Sequence, residues 1–202
     1  MELIIATTPD FFVEEDKIIT SLFDEGLDML HLRKPVSEPI YAERLLTLLP
    51  STYHKQIVVH DHFYLKEEFG LKGIQLNKRN PEPPAGYKGY ISRSCHSMEE
   101  LAQYKKTVDN VILSPVYDSI SKWGRKSAFT HEELTEAARR GWIDKQVFAQ
   151  GGVSLEHIHE LESYGFGGVV ILGDIWNRFK VHSNIDFKEL ISYFKRLRKE
   201  IK

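Results

Sequence analysis

Short apolar runs recur along the chain, and segments with helical spacing fill the intervals between them. The runs predict strands over Leu3–Thr7, Met29–Arg33, Ile57–His60, Gly73–Leu76, Tyr90–Ser94, Asn110–Ser114, Gln146–Gln150 and Gly168–Leu172. Strands alternating with helical patterns are the signature of βα units and a parallel sheet. Side chains alternate faces along a strand. In Met29-Leu30-His31-Leu32-Arg33 the apolar pair Leu30 and Leu32 shares one face, and His31 and Arg33 share the other. The apolar pair is expected against the helices, which sends His31 and Arg33 inward. The same parity lines up Ser92, Ser94 and His96 on and just past the fifth strand.

Helix starts are marked in several intervals. Ser97-Met98-Glu99-Glu100 and Thr130-His131-Glu132-Glu133 read as capping boxes, and Ser154 as the N-cap of a helix over Leu155–Tyr164. Between Asn77 and Gly89, Pro81, Pro83, Pro84 and Gly86 exclude a full helix. The expected architecture is therefore a single (β/α)8 barrel over residues 1–202, with a short or missing fourth helix. A doubly wound open sheet is the alternative. Such a sheet usually carries its glycine fingerprint after the first strand, where this chain has Thr7-Thr8-Pro9.

The glycine-rich strand ends come instead in the last third. Val147-Phe148-Ala149-Gln150-Gly151-Gly152-Val153 is followed by Ser154, and Gly168-Val169-Val170-Ile171-Leu172-Gly173 by Asp174. A strand ending in glycine lets backbone amides approach a ligand that a Cβ would exclude. Barrels of this type commonly build a phosphate site from their last two strands. The sequence thus predicts phosphate binding at Gly151, Gly152, Leu172 and Gly173, with a Cβ at Gly152 intruding on the ligand.

Composition narrows the classes. The chain has 202 residues, 42% of them hydrophobic and 28% charged, with a formal net charge of −2. Nothing in this calls for a nucleic acid. The basic stretch from Lys195 to Lys202 reads as the solvated face of a last helix. One cysteine, Cys95, rules out an intrachain disulfide and fits a reducing cytoplasm. No apolar run approaches the ~20 residues of a membrane span, and the first residues lack the pattern of a signal peptide. Oligomeric state is left open, a homo-oligomer included.

The strand ends carry candidate chemistry. His31 and Arg33, Asp61 just past the third strand, and Ser94 and His96 are expected at the barrel mouth. So is the loop Ser114-Pro115-Val116-Tyr117-Asp118-Ser119-Ile120-Ser121-Lys122. Ser119, Ser121 and Lys122 offer two hydroxyls and an ammonium, groups suited to phosphate oxygens. His60-Asp61-His62 lacks a third ligand at a spacing characteristic of zinc.

These residues, in this order, resemble the superfamily of thiamin phosphate synthases and TenI-type thiazole tautomerases. His31-Leu32-Arg33 is similar to its Gln-x-Arg, His60-Asp61 to its Asn-Asp, and Gly73-Ile74-Gln75-Leu76 to its Gly-Val-His/Gln-Leu. Ser94-Cys95-His96-Ser97 resembles Ser-x-His-Ser/Thr. Ser114-Pro115-Val116-Tyr117 with Ser119-Ile120-Ser121-Lys122 resembles Gly-Pro-x-Phe/Tyr with Thr-x-Thr-Lys, and Gln150-Gly151-Gly152 with Gly168-Val169-Val170 completes the set. The resemblance implies a thiazole phosphate ligand and a place in thiamin biosynthesis. His31, Arg33, His60, Ser94, Ser119, Ser121 and Lys122 would then bind substrate.

The two branches differ in chemistry. The synthase joins a hydroxymethylpyrimidine diphosphate to thiazole phosphate and expels pyrophosphate, with Mg2+ on two Asp ligands. This chain keeps Asp61 as a ligand if Mg2+ binds. It has Asn80 where the second Asp would fall, and Pro35, beside Lys34, where the synthase has Lys. Asp174 would set an anion beside the expected phosphate. The tautomerase moves one proton and needs no metal. An ordinary imidazole suits that task near neutral pH, and His96 is its candidate acid–base. These departures favour the tautomerase and predict weak thiamin phosphate formation even at high Mg2+. The synthase is the alternative, and a noncatalytic thiazole or thiamin phosphate-binding protein the second alternative.

Overall fold

The computed structural model describes residues 1–120, 124, 126–178 and 184–201. Eight parallel strands form a closed barrel in sequential order. They are β1 (Glu2–Ala6), β2 (Met29–Leu32), β3 (Ile57–Val59), β4 (Gly73–Leu76), β5 (Tyr90–Cys95), β6 (Asn110–Leu113), β7 (Val147–Gln150) and β8 (Gly168–Ile171). β8 closes on β1 with Glu2 opposite Gly168 and Ile5 opposite Ile171. Each strand lies within a residue or two of its expected span. The helices are α1 (Glu15–Asp24), α2 (Pro39–Leu48), α3 (Leu65–Glu68), α4 (Met98–Tyr104), α5 (His131–Arg139), α6 (Ile158–Tyr164), α7 (Gly173–Trp176) and α8 (Asn184–Glu200). No helix joins β4 to β5, as the prolines there require.

Period-2 alternation divides the core. Leu3, Ile5, Leu30, Leu32, Ile57, Val59, Ile74, Leu76, Val111, Leu113, Val147, Ala149, Val169 and Ile171 face the helices. Ile4, Ala6, Met29, Val58, Ile112, Phe148 and Val170 fill the barrel interior. Gly168 is small because a Cβ there would lie 2.7 Å from the Glu2 carbonyl and 3.2 Å from the Phe148 ring. Burial of these side chains drives folding, each fully buried aliphatic or aromatic group contributing ~1.5–3 kcal/mol.

The capping signals form with one variation. Thr130 and Glu133 make a reciprocal box. Ser97 accepts the Glu100 N–H, but the Glu100 carboxylate accepts the His96 N–H at 2.7 Å rather than that of Ser97. The start of α4 therefore also fixes the backbone of His96. Ser154 caps a 3-10 turn, Leu155–His157, that leads into α6. Among the described residues no helix is long and apolar enough to cross a membrane.

Candidate active site at the barrel mouth

A cavity of 270 Å3 opens at the C-terminal ends of the strands, near the ~300 Å3 lower end of small-molecule sites. Its two sides differ. One, from the ends of β2, β3 and β4, presents Arg33, His60, Asn77, Lys78 and Arg79. The other, from the ends of β7 and β8, presents Gly151, Gly152, Leu172 and Gly173. Ser94, His96, Ser114 and Ser119 lie between them on the β5 and β6 ends. Arg33, Lys78 and Arg79 are all cationic, and among the described residues no carboxylate lines the cavity. A concave surface so charged concentrates anions.

The expected site residues mostly converge here. Arg33, His60, Ser94, His96, Ser119, Gly151, Gly152, Leu172 and Gly173 line the cavity. His31 and Asp61 do not. Ser121 and Lys122 lie outside the described residues. His31 sits one layer below, fully buried, with Nδ1 3.0 Å from His60 Nε2. Its Nε2 has no hydrogen-bond partner among the described residues. Burial, helped by the Lys72 charge, lowers the pKa of His31 to about 3. Burial and then the charges of His31, Arg33 and Arg79 push His60 well below its ordinary value. Both rings are neutral at pH 7, so one donates the shared hydrogen and the other accepts it.

His96 is aimed by its surroundings. Its Nδ1 lies 2.7 Å from the Ser114 carbonyl oxygen, which can only accept. The hydrogen therefore sits on Nδ1, and the neutral ring keeps Nε2 as its basic nitrogen. Gln75 donates to Ser94 Oγ at 2.9 Å, which leaves the Ser94 hydroxyl hydrogen for another acceptor.

Three positions singled out in the sequence have structural roles. A Cβ on Gly152 would meet the Asp118 carbonyl at 2.2 Å and Tyr117 Cβ at 2.7 Å, and one on Gly151 the Pro115 Cα at 2.7 Å. With φ of 92° at Gly151 and 68° at Gly152, these glycines are required by packing against the loop after β6 as well as by backbone conformation. Asp174 turns away from the mouth; it accepts from Tyr193 and pairs with Arg178 at 3.1 Å. Lys34 does not stand in for the missing lysine. It is buried, 2.6 Å from Glu15 and 2.8 Å from the Asp10 carbonyl.

Asp61 decides whether the residues suit a divalent cation. Its Oδ1 accepts from Arg79 Nε at 3.3 Å, Arg79 Nη2 at 3.1 Å and Asn80 Nδ2 at 3.1 Å; its Oδ2 accepts from Arg79 Nη2 at 3.2 Å. Asn80 Nδ2 also donates to the His60 carbonyl at 3.0 Å, so the amide presents its donor side to Asp61. A hard cation needs acceptors there. Among the described residues no group of three or more His, Cys, Asp or Glu could hold a metal. These residues do not fit Mg2+.

Lys78 and Arg79 were not anticipated as site residues. An Asx turn holds them at the rim, with Asn77 Oδ1 accepting the Arg79 N–H at 2.9 Å and the Asn80 N–H at 3.3 Å. Two cations directly after a strand end were the available signal.

A closed (β/α)8 barrel with arginine and lysine lining the cavity at the C-terminal ends of its strands has the form that phosphate-handling barrels share. The family described as thiamine monophosphate synthase (TMP-TENI) matches residues 3–175, and the chain belongs to it. A thiamine phosphate pyrophosphorylase structure from Bacteroides thetaiotaomicron is 51% identical, covering 99% of this chain and 97% of that one, with a TM-score of 0.91. The thiamine-phosphate synthase of Histophilus somni (strain 129Pt) is 25% identical over 146 residues, 69% of this chain. That match spans 65% of the curated relative's length. A Pyrococcus furiosus thiamine phosphate pyrophosphorylase, 16% identical with 99% of this chain and 95% of that one covered and a TM-score of 0.76, shares the fold. The named relatives support the synthase better than the tautomerase first favoured. The family to which the chain belongs is one of thiamin biosynthesis.

Proposed function

We propose that this enzyme is a thiamin phosphate synthase, joining hydroxymethylpyrimidine diphosphate to thiazole phosphate. The observation that carries this reading is the two-sided mouth: a cationic wall facing a glycine wall. Two anionic reactants need two such walls. Thiazole phosphate would rest on the amides around Gly151, Gly152 and Gly173, and the diphosphate against Arg33, Lys78 and Arg79. Ser119, Ser121 and Lys122 are assigned to the same phosphate oxygens.

The bond change is simple. The thiazole ring nitrogen forms a bond to the methylene carbon of the pyrimidine. The carbon–oxygen bond to the diphosphate breaks, and its electron pair leaves with pyrophosphate. No proton is removed, so the enzyme's task is to hold the two rings in line and stabilise charge on the leaving group. Positioned guanidinium and ammonium groups would supply that stabilisation.

One observation favours a second reading, thiazole tautomerisation. The Nδ1–H of His96 is fixed on the Ser114 carbonyl and its Nε2 is left basic, which suits a group that takes and returns a proton. Separate incubations decide between them. Purified protein given both synthase substrates should release pyrophosphate and form thiamin phosphate. Protein that leaves them unreacted but aromatises the thiazole carboxylate phosphate tautomer is a tautomerase. Inactivity in both, with ligand still bound, points to the noncatalytic binding protein.

A further inference from the structure

We infer that Arg79, clasped by Asp61 and Asn80, takes the place of a divalent cation in this mouth, so that a diphosphate is bound by the protein's own charges. The inference concerns anion binding and holds under either catalytic reading.

Asp61 is 17% exposed and lies behind Arg79, which lines the cavity. The guanidinium uses Nε and Nη2 on the carboxylate, and Nη1 takes no part in that pairing. Asn80 closes the other side of Asp61 and ties it to the β3 end through the His60 carbonyl. A carboxylate that orients a guanidinium this way aims its remaining donors, and the planar fork matches phosphate oxygens. Lys78 and Arg33 add two positive charges on the same wall. Where a metal site would set acceptors around an empty centre, this wall sets a cation already in contact with the carboxylate. The Asx turn at Asn77 fixes the backbone that carries it.

Calorimetric titration with inorganic pyrophosphate tests this without turnover. In EDTA the wild-type protein should bind pyrophosphate, and added Mg2+ should not tighten binding by more than about 2-fold. Arg79→Ala should weaken binding in EDTA by ~10-fold or more, about the size of a lost charge-assisted pair. Asp61→Asn should weaken it by a smaller factor, because the guanidinium remains but loses its anchor. Circular dichroism would establish that both variants are folded; Arg79 is 42% exposed in its side chain, so its removal leaves the core intact. Three results would overturn the inference: pyrophosphate binding that appears only with Mg2+ and disappears in Asp61→Asn, binding in EDTA that Arg79→Ala leaves unchanged, or no binding in either buffer. Failure of either catalytic reading would register in product formation and leave these titrations untouched.

Discussion

At the scale of single residues, the mouth separates groups that hold a ligand from groups that hold the protein. His96 has its ring fixed on Ser114 and its backbone fixed by Glu100. Synthase bond formation removes no proton, so His96→Ala should leave thiamin phosphate formation within ~10-fold of wild type. Thiazole tautomerisation, where the enzyme performs it, should fall by ~10²-fold; comparing both turnovers in one variant checks the role. Gly152→Val should unfold the protein or lower its stability by about 3 kcal/mol or more, since the new Cβ would sit 2.2 Å from a carbonyl oxygen. A thermal melt reads this, and an unchanged midpoint would remove the packing role. His31 and His60 give a pH signature. Their pKa values are lowered in the fold, His31 to about 3, so the unfolded chain binds more protons below an ordinary histidine value of ~6.5. Stability from these rings is fully present above ~6.5 and declines as pH falls toward 3. Between pH 6.5 and 5 one such ring accounts for about 2 kcal/mol, measurable by urea unfolding. His60→Asn should flatten that slope. Strand parity made His31, Arg33, Ser94 and His96 legible as inward groups. It could not reveal that His31 lies one layer too deep, nor that Arg79 reaches the mouth, because loop geometry set by Asn77 has no period.

At the scale of elements, the loop after β2 is anchored by a buried ion pair. Lys34 Nζ and Glu15 join at 2.6 Å, each side chain 2% exposed, and Lys34 lies 4.4 Å from the Phe11 ring centre. Burial raises the Glu15 pKa to about 7 and lowers that of Lys34. Removing one partner of such a pair strands the other. Lys34→Met should therefore destabilise by on the order of 3 kcal/mol at pH 8. The deficit should shrink toward pH 5, because a carboxyl whose folded pKa is raised is destabilising only when pH climbs above its unfolded value. Chemical denaturation of both proteins at pH 5 and 8 checks this; a deficit independent of pH would mean that Glu15 is already paired elsewhere. Strands β1 to β8 were legible from their apolar runs, and the helix-free crossover after β4 from its prolines. The direction of Lys34 was not, since adjacent loop positions carry no strand parity and its partner Glu15 is set by tertiary packing.

At the scale of the whole molecule, sequential strand order and a closed barrel bring residues from β2 to β8 to one rim. The fold was legible because strand spacing, capping and the tandem glycine ends agreed with one another. The branch within the family was harder to read. Asn80 and Pro35 suggested a dismantled metal site and hence tautomerisation, whereas the site has a cation of its own in Arg79 and relatives named as synthases. The most direct measurement is mass-spectrometric detection of product after the purified enzyme is given hydroxymethylpyrimidine diphosphate and thiazole phosphate. Stoichiometric thiamin phosphate and pyrophosphate are predicted, with formation reduced by Arg79→Ala. Unreacted substrates, alongside rapid aromatisation of the thiazole tautomer that depends on His96, would contradict the synthase assignment.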